Sequence, residues 1–161
     1  MKQRPRVNEM KQTGQRGKRL IASNKKARHE YTVEDTYEAG LVLTGTEVKS
    51  LRQGNAVITD GYLVIKDGEA WLHQIHIPVY SHGNRENHEP LRKRKLLLSL
   101  REIARIEQKL SRQGFTAFPL EIYFKGPWVK VSIGLGKGKK LYDKRQTDKE
   151  RSARRELRER Y

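Results

Sequence analysis

One amide, three cations, an imidazole and a phenol fall within eight residues in "NKKARHEY", Asn24 to Tyr31. Lys25, Lys26 and Arg28 can neutralise phosphates, and the counterions they displace would make such binding fall steeply with salt. His29 and Tyr31 are two apart, so on a strand they share a face and can stack on unstacked bases or bond to ribose. A core ring with its hydroxyl at the rim accounts for Tyr31 equally well, because tyrosines are often half-buried. A second cationic run, Arg92 to Lys95, stands just before "LLLS" and the helix that Ser99 should cap. Cations there oppose the positive end of the helix dipole, a placement that suits an external anion. Charge runs are nevertheless more often solvated faces.

The third group follows an apolar alternating segment. Lys137, Lys139, Lys140, Lys144 and Arg145 surround Tyr142 and Asp143. From Asp148 onward the residues are good helix formers, but Ala153 and Leu157 are nearly the only apolar contacts. Arg151 and Arg155, like Arg154 and Arg158, are like-charge neighbours one turn apart. Such a helix is marginal alone and is expected to order on a polyanion.

Charge is concentrated at the ends. Of the net +16, residues 1–26 contribute +8 and residues 137–161 contribute +6, which leaves +2 for the 110 residues between. A nearly neutral centre with cationic arms points to nucleic acid as the partner. Neither end has the sustained apolar face of an interfacial helix, and no apolar run approaches a membrane span. The N-terminus lacks the apolar core of a secretory signal, so a cytoplasmic protein is expected.

Templates for catalysis fail. Gly134, Gly136 and Gly138 before Lys139 and Lys140 suggest a phosphate loop. The spacing is one residue short, however, and Lys140 takes the place of the required hydroxyl residue. His73 and His76 would point to opposite faces of a strand, so they cannot share a metal ion. His82 and His88 lie in a polar loop and read as ordinary surface histidines. Nothing pairs two of the acids Glu38, Asp60, Glu102 and Glu121, and there are no cysteines. A non-enzyme without cofactor, metal or small-molecule substrate is expected.

These groups need elements to hold them. Hydrophobic residues make up 35% and mean hydropathy is −0.90, which predicts a small core with polar arms. Residues 1–19 show no periodicity and are expected to form a disordered basic arm. Tyr31, Val33, Asp35 and Tyr37 alternate with Thr32, Glu34 and Thr36, predicting a strand that breaks or bends at Ala39-Gly40. Thr44 and Glu47 spell a capping box, and Gly54 is placed to end that helix. Asp67-Gly68 predicts a hairpin turn. Ser99 and Glu102 cap a second helix with Leu100, Ile103, Ile106 and Leu110 at helical spacing, closed by Gly114. Two more strands meet at Gly126-Pro127. Short strands without βαβ alternation favour a small closed antiparallel barrel of residues 20–136, flanked by two or three helices, with residues 137–161 as a tail.

The segments "NKKARHEY", "YEAGLVLTGTEVKSLRQG", "DGYLVIKDGEAWL", "RKRKLLL" and "GKGKKLYDKR" resemble the SsrA-binding (SmpB) protein family, in the family's order and over roughly residues 20–155. The resemblance implies an oligonucleotide-binding-type (OB) barrel. Its partner would be the tRNA-like part of transfer-messenger RNA, in the rescue of stalled bacterial ribosomes. It implies RNA-contacting roles for Asn24, His29, Tyr31, Glu38, Arg94, Lys95 and Leu96. For the tail it implies entry into an empty decoding centre and mRNA channel, with Asp143, Lys144 and Arg145 matching the family's Asp-Lys-Arg. Tyr142 would stand where members carry an aromatic or imidazole ring. A monomer is expected. A ribosomal or generic RNA-binding OB protein is the competing reading.

Overall fold

A computed structural model describes residues 17–83, 86–139, 145 and 149–155. The chain runs β1 (Lys18–Ser23), α1 (Lys25–Glu30), β2 (Tyr31–Leu41), α2 (Gly45–Arg52), β3 (Tyr62–Lys66), β4 (Glu69–His73), β5 (Arg94–Leu97), α3 (Leu100–Leu110), β6 (Phe115–Lys125) and β7 (Trp128–Gly138). All seven strands join one sheet in the order β1-β6-β7-β2-β5-β4-β3, each neighbouring pair antiparallel. Hydrogen bonding leaves β1 and β3 as the two edges, so the ladder is not the closed ring expected from the sequence. The sheet curls nonetheless, bringing β3 against β6.

Three local signals act as the sequence predicted. The hairpin turns on Asp67 and Gly68, whose φ values of 53° and 74° are the left-handed pair of a type I′ turn. Its register pairs Lys66 with Glu69 and Tyr62 with His73. The Ser99 hydroxyl accepts the Glu102 N–H at 3.2 Å, while the Glu102 carboxylate accepts the Ser99 N–H at 3.1 Å. At α2 the Glu47 carboxylate accepts the Thr44 N–H at 2.9 Å.

Other expectations need correction. β1 begins at Lys18, so the end of the supposed disordered arm is an edge strand whose Lys18 pairs with Lys125 of β6. β2 does not break at Gly40; it runs unbroken to Leu41, and Gly40 admits the Leu97 side chain of β5 against its backbone. Leu100, placed on the apolar stripe of α3, is 81% exposed; Ile103 and Ile106 are buried in the core and Leu110 packs against it half-buried. The cations before α3 lie on and beside β5, so the dipole argument does not apply to them.

The main core joins α2, α3 and the inward sheet face through Leu51, Leu72, Ile75, Ile106, Ile122 and Ile133. Ala27, Phe118 and Leu120 form a smaller cluster beneath α1, with Tyr31 and Val33 against it. Among the described residues, the buried ion cluster lies inside the core. Glu47 and Arg94 are both fully buried and paired, and Arg92 donates to Glu47 at 2.6 Å. Arg94 also donates to the carbonyls of Ile75 at 2.7 Å and Pro90 at 3.1 Å. Burial pushes the Glu47 carboxyl up, but Arg92, the Thr44 N–H and Arg94 together hold it below the usual carboxylate range.

Candidate nucleic-acid interface

The eight-residue cluster folds around Asn24. Its side-chain carbonyl accepts the Ala27 N–H at 3.0 Å, capping α1. Its amide donates to the Pro119 carbonyl at 2.9 Å and, more distantly, to Ile58 at 3.4 Å, and its backbone N–H to Leu120 at 2.8 Å. Asn24 is fully buried, so it fixes α1 to β6 rather than facing solvent. With α1 so placed, Lys25, Lys26 and Arg28 are exposed. Lys26 lies 3.6 Å from Asp60, and Arg28 lies 3.4 Å from Glu121.

His29 and Tyr31 do not share a strand face, because His29 is in α1 and Tyr31 opens β2. The Tyr31 ring stacks on Phe118 at 4.6 Å with 24° between planes. One face of it therefore belongs to the small core, and the ring is half-buried. A cavity of about 230 Å³ opens beside it, lined by Lys26, Glu30, Asp60 and Tyr62 among others.

Glu38 projects outward from β2 toward β7 and β6. It accepts a hydrogen bond from the Tyr123 hydroxyl and lies 3.2 Å from the Lys125 ammonium. The Tyr123 hydrogen bond holds the Glu38 carboxyl below its ordinary value against the opposing effect of burial, with Lys125 and Lys130 helping. Burial and Glu38 push the Tyr123 phenol well up, so it remains a donor. Lys18 stands 4.3 Å above the Tyr123 ring and 3.3 Å from Glu121. Lys18, Arg28, Lys125 and Lys130 thus form a cationic band across β1, α1, β6 and β7, in which Glu121 pairs with Lys18 and Arg28, and Glu38 pairs with Lys125. Cations held this way can meet phosphates, while Glu38 can accept from ribose hydroxyls or base amino groups.

Tyr123, Lys125, Lys130 and Lys18 were missed by sequence reasoning. Alternation in "LEIYFK" puts Glu121, Tyr123 and Lys125 on one side, but the pairing that joins them to Glu38 is long-range. The register is Glu38 to Ser132, and Ser132 to Glu121.

Arg94, Lys95 and Leu96 are not brought to this band. Arg94 is enclosed with Glu47, Leu96 is buried between Leu41 and Ala70, and Lys95 pairs with Glu69 at 3.1 Å. His88 corrects another expectation. It is buried rather than on the surface, its ring nitrogens 2.9 Å from the Thr46 hydroxyl and 2.8 Å from the Ile77 carbonyl. β4 ends at His73, before Gln74 at φ 59°, and His76 instead bridges to Val57.

Of the tail residues, Lys137 remains inside β7, opposite Thr32, with its ammonium 5.0 Å from the Phe115 ring centre. The Lys139 N–H donates to the Glu30 carbonyl at 2.7 Å, and its ammonium to the Arg28 carbonyl at 3.2 Å. The sheet therefore extends two residues past the boundary expected at 136. Lys140, Tyr142, Asp143 and Lys144 lie outside the described residues. Arg145 and residues 149–155 are helical and exposed.

An antiparallel sheet that arrays cations, carboxylates and a phenol across one outward face defines a nucleic-acid-binding protein. The family model for SmpB protein matches residues 21–161, and the chain belongs to that family. It is 58% identical over 141 residues to the SsrA-binding protein of Acidothermus cellulolyticus, covering 88% of this chain and 89% of that one. With the SsrA-binding protein of Thermobifida fusca it shares 54% identity over 147 residues, 91% and 92% of the two chains. It is also similar to a chain in a solved structure described as "tmRNA-SmpB: a journey to the center of the bacterial ribosome". That match has a TM-score of 0.64 and 45% identity, and covers 83% of this chain and 94% of the other.

Proposed function

We propose that this protein binds the tRNA-like part of transfer-messenger RNA and carries it to stalled ribosomes as a non-catalytic cytoplasmic adaptor. The observation that carries the reading is the Glu38–Tyr123–Lys125 cluster within the cationic band, in a chain matched to SmpB protein over residues 21–161. Relatives named SsrA-binding protein, and a neighbour whose description joins tmRNA, SmpB and the ribosome, support the partners.

In this reading the curled sheet is an OB-type barrel whose remaining gap is covered where β3 packs on β6. Lys25, Lys26, Arg28, Lys18 and Lys125 hold phosphates. His29, the open side of Tyr31, and Glu38 with Tyr123 contact the nucleotides between them. Asn24, Arg94 and Leu96 serve the site by holding α1 and β5 in place, and Lys95 acts through its pair with Glu69. Residues 140–161, with Lys140, Tyr142, Asp143, Lys144 and Arg145, enter the decoding centre and mRNA channel when no mRNA fills them.

A salt titration with the tRNA-like domain and a duplex of matched length tests this. Preference for the tRNA-like RNA that survives moderate salt is expected. Equal binding that collapses with salt would overturn it, leaving only nonspecific attraction to a +16 chain.

A further inference from the structure

The outward face of β2 carries what a solvated strand usually carries: Thr32, Glu34, Thr36 and Glu38 are all exposed. The β3–β4 hairpin is different. Its register sets Tyr62 beside His73 and Val64 beside Trp71, and β5 adds Lys95 beside Trp71. The intervening Leu63, Ala70 and Leu72 are buried, so the rings are outward by alternation and not part of the core. Tyr62 is 42% exposed, and its ring lies nearly parallel to His73, 5.1 Å between centres and 24° between planes. A recess of about 380 Å³ opens next to them over Val64, Trp71 and His73, with Lys66, Lys93 and Glu69 at its edge.

We propose that this hairpin is a second RNA-binding surface, on which Tyr62, His73 and Trp71 stack unpaired nucleotides of a single strand while Lys66 and Lys93 hold their phosphates. Its partner class rests on the RNA-binding reading above; its location does not. Parallel rings at one register of neighbouring strands are a stacking platform that tolerates any base. Lys95 occupies Glu69, and Lys66 and Lys93 have no ion-pair partner among the described residues. Burial and the nearby Lys93 charge hold the His73 imidazole below its ordinary value, so it offers an uncharged ring near neutral pH. In the sheet order β5 stands between the hairpin and β2, which carries Glu38; of the three rings Tyr62 also lines the cavity beside Tyr31, whereas Trp71 and His73 line only the recess.

The chain has two tryptophans, so Trp128→Phe in the full-length protein makes Trp71 the sole indole. The probe is a ten-nucleotide oligoadenylate, read by Trp71 emission and by anisotropy of the labelled strand. Saturable quenching of Trp71 is expected, unchanged when the tRNA-like domain saturates the protein. Tyr62→Ala should weaken that quenching signal about 5- to 100-fold, and Tyr62→Phe should preserve it. Lys66→Gln with Lys93→Gln should reduce its log–log salt slope by about 1.4.

Unchanged Trp71 emission while anisotropy shows the strand bound elsewhere would overturn the proposal. So would quenching abolished by the tRNA-like domain, which would mean one shared site. Equal quenching by an Asp/Glu-rich peptide would assign the face to protein instead. Each of these leaves tRNA-like RNA binding intact. Failure of the adaptor reading would appear instead as loss of preference for that RNA.

Discussion

The Glu38 face and the C-terminal segment are both basic, yet their charges are held in different ways. On the sheet and the α1 helix beside it, Lys18, Arg28 and Lys125 each meet a carboxylate within 3.4 Å, and those carboxylates sit on strands whose register is fixed. In residues 137–161, eleven cations accompany five acids, and beyond Lys139 the sequence offers almost no apolar residue to hold them. Prearranged charge favours a ligand of matching shape, whereas charge on a segment without a core favours any polyanion and is sensitive to salt. In the proposed reading, one protein thus contains a selective surface and a permissive one.

The largest effect expected comes from separating them. Ending the chain after Lys139 should abolish rescue of stalled ribosomes in a reconstituted translation assay while tRNA-like RNA still binds. Complete loss of RNA affinity in that truncation would erase the distinction.

Next is the scaffold beneath the selective surface. Glu47→Ala leaves Arg94 buried without its partner, and thermal or urea unfolding should show a loss of about 3–5 kcal/mol. The same carboxylate predicts acid sensitivity. Its pKa is lower in the folded chain than the ordinary value of 4.5, so its stabilisation is fully present above that pH. It disappears as pH falls through the folded value. Urea midpoints measured from pH 6 down to pH 3 should fall mainly below pH 4.5 in the native chain, and less in Glu47→Gln.

Smaller effects sharpen the comparison on the surface itself. Tyr123→Phe removes the donor that fixes Glu38 and should weaken tRNA-like RNA binding about tenfold, read by filter binding with the fold unchanged. Lys125→Ala should change affinity least, lowering the salt slope by about 1 across all RNAs tested. A large, RNA-selective loss at Lys125 would mean that it reads shape and not phosphate alone.

The sequence announced whatever depends on neighbours in the chain. The Asp67-Gly68 turn, the Ser99–Glu102 cap and the alternation of β2 each need only a few residues to be recognised. It concealed what depends on distant strands. The six-residue α1 buries only Ala27, too little for a periodic signal, and its cap is explained by Pro119 and Leu120 far along the chain. Arg94 read as a ligand for anions because its partner Glu47 is 47 residues away. Tyr123 joined the site only through the β2–β7–β6 register, and no local pattern encodes such a register.

The tie between Lys139 and the carbonyls of Glu30 and Arg28 gives the molecule a fixed origin. The helix proposed to grip RNA and the point from which residues 140–161 depart are joined by these two hydrogen bonds. Reach beyond that point is set by residue count, as a ruler's marks are set by its zero. In the proposed reading, inserting residues after Lys139 should shift the later ribosome contacts while leaving RNA binding intact.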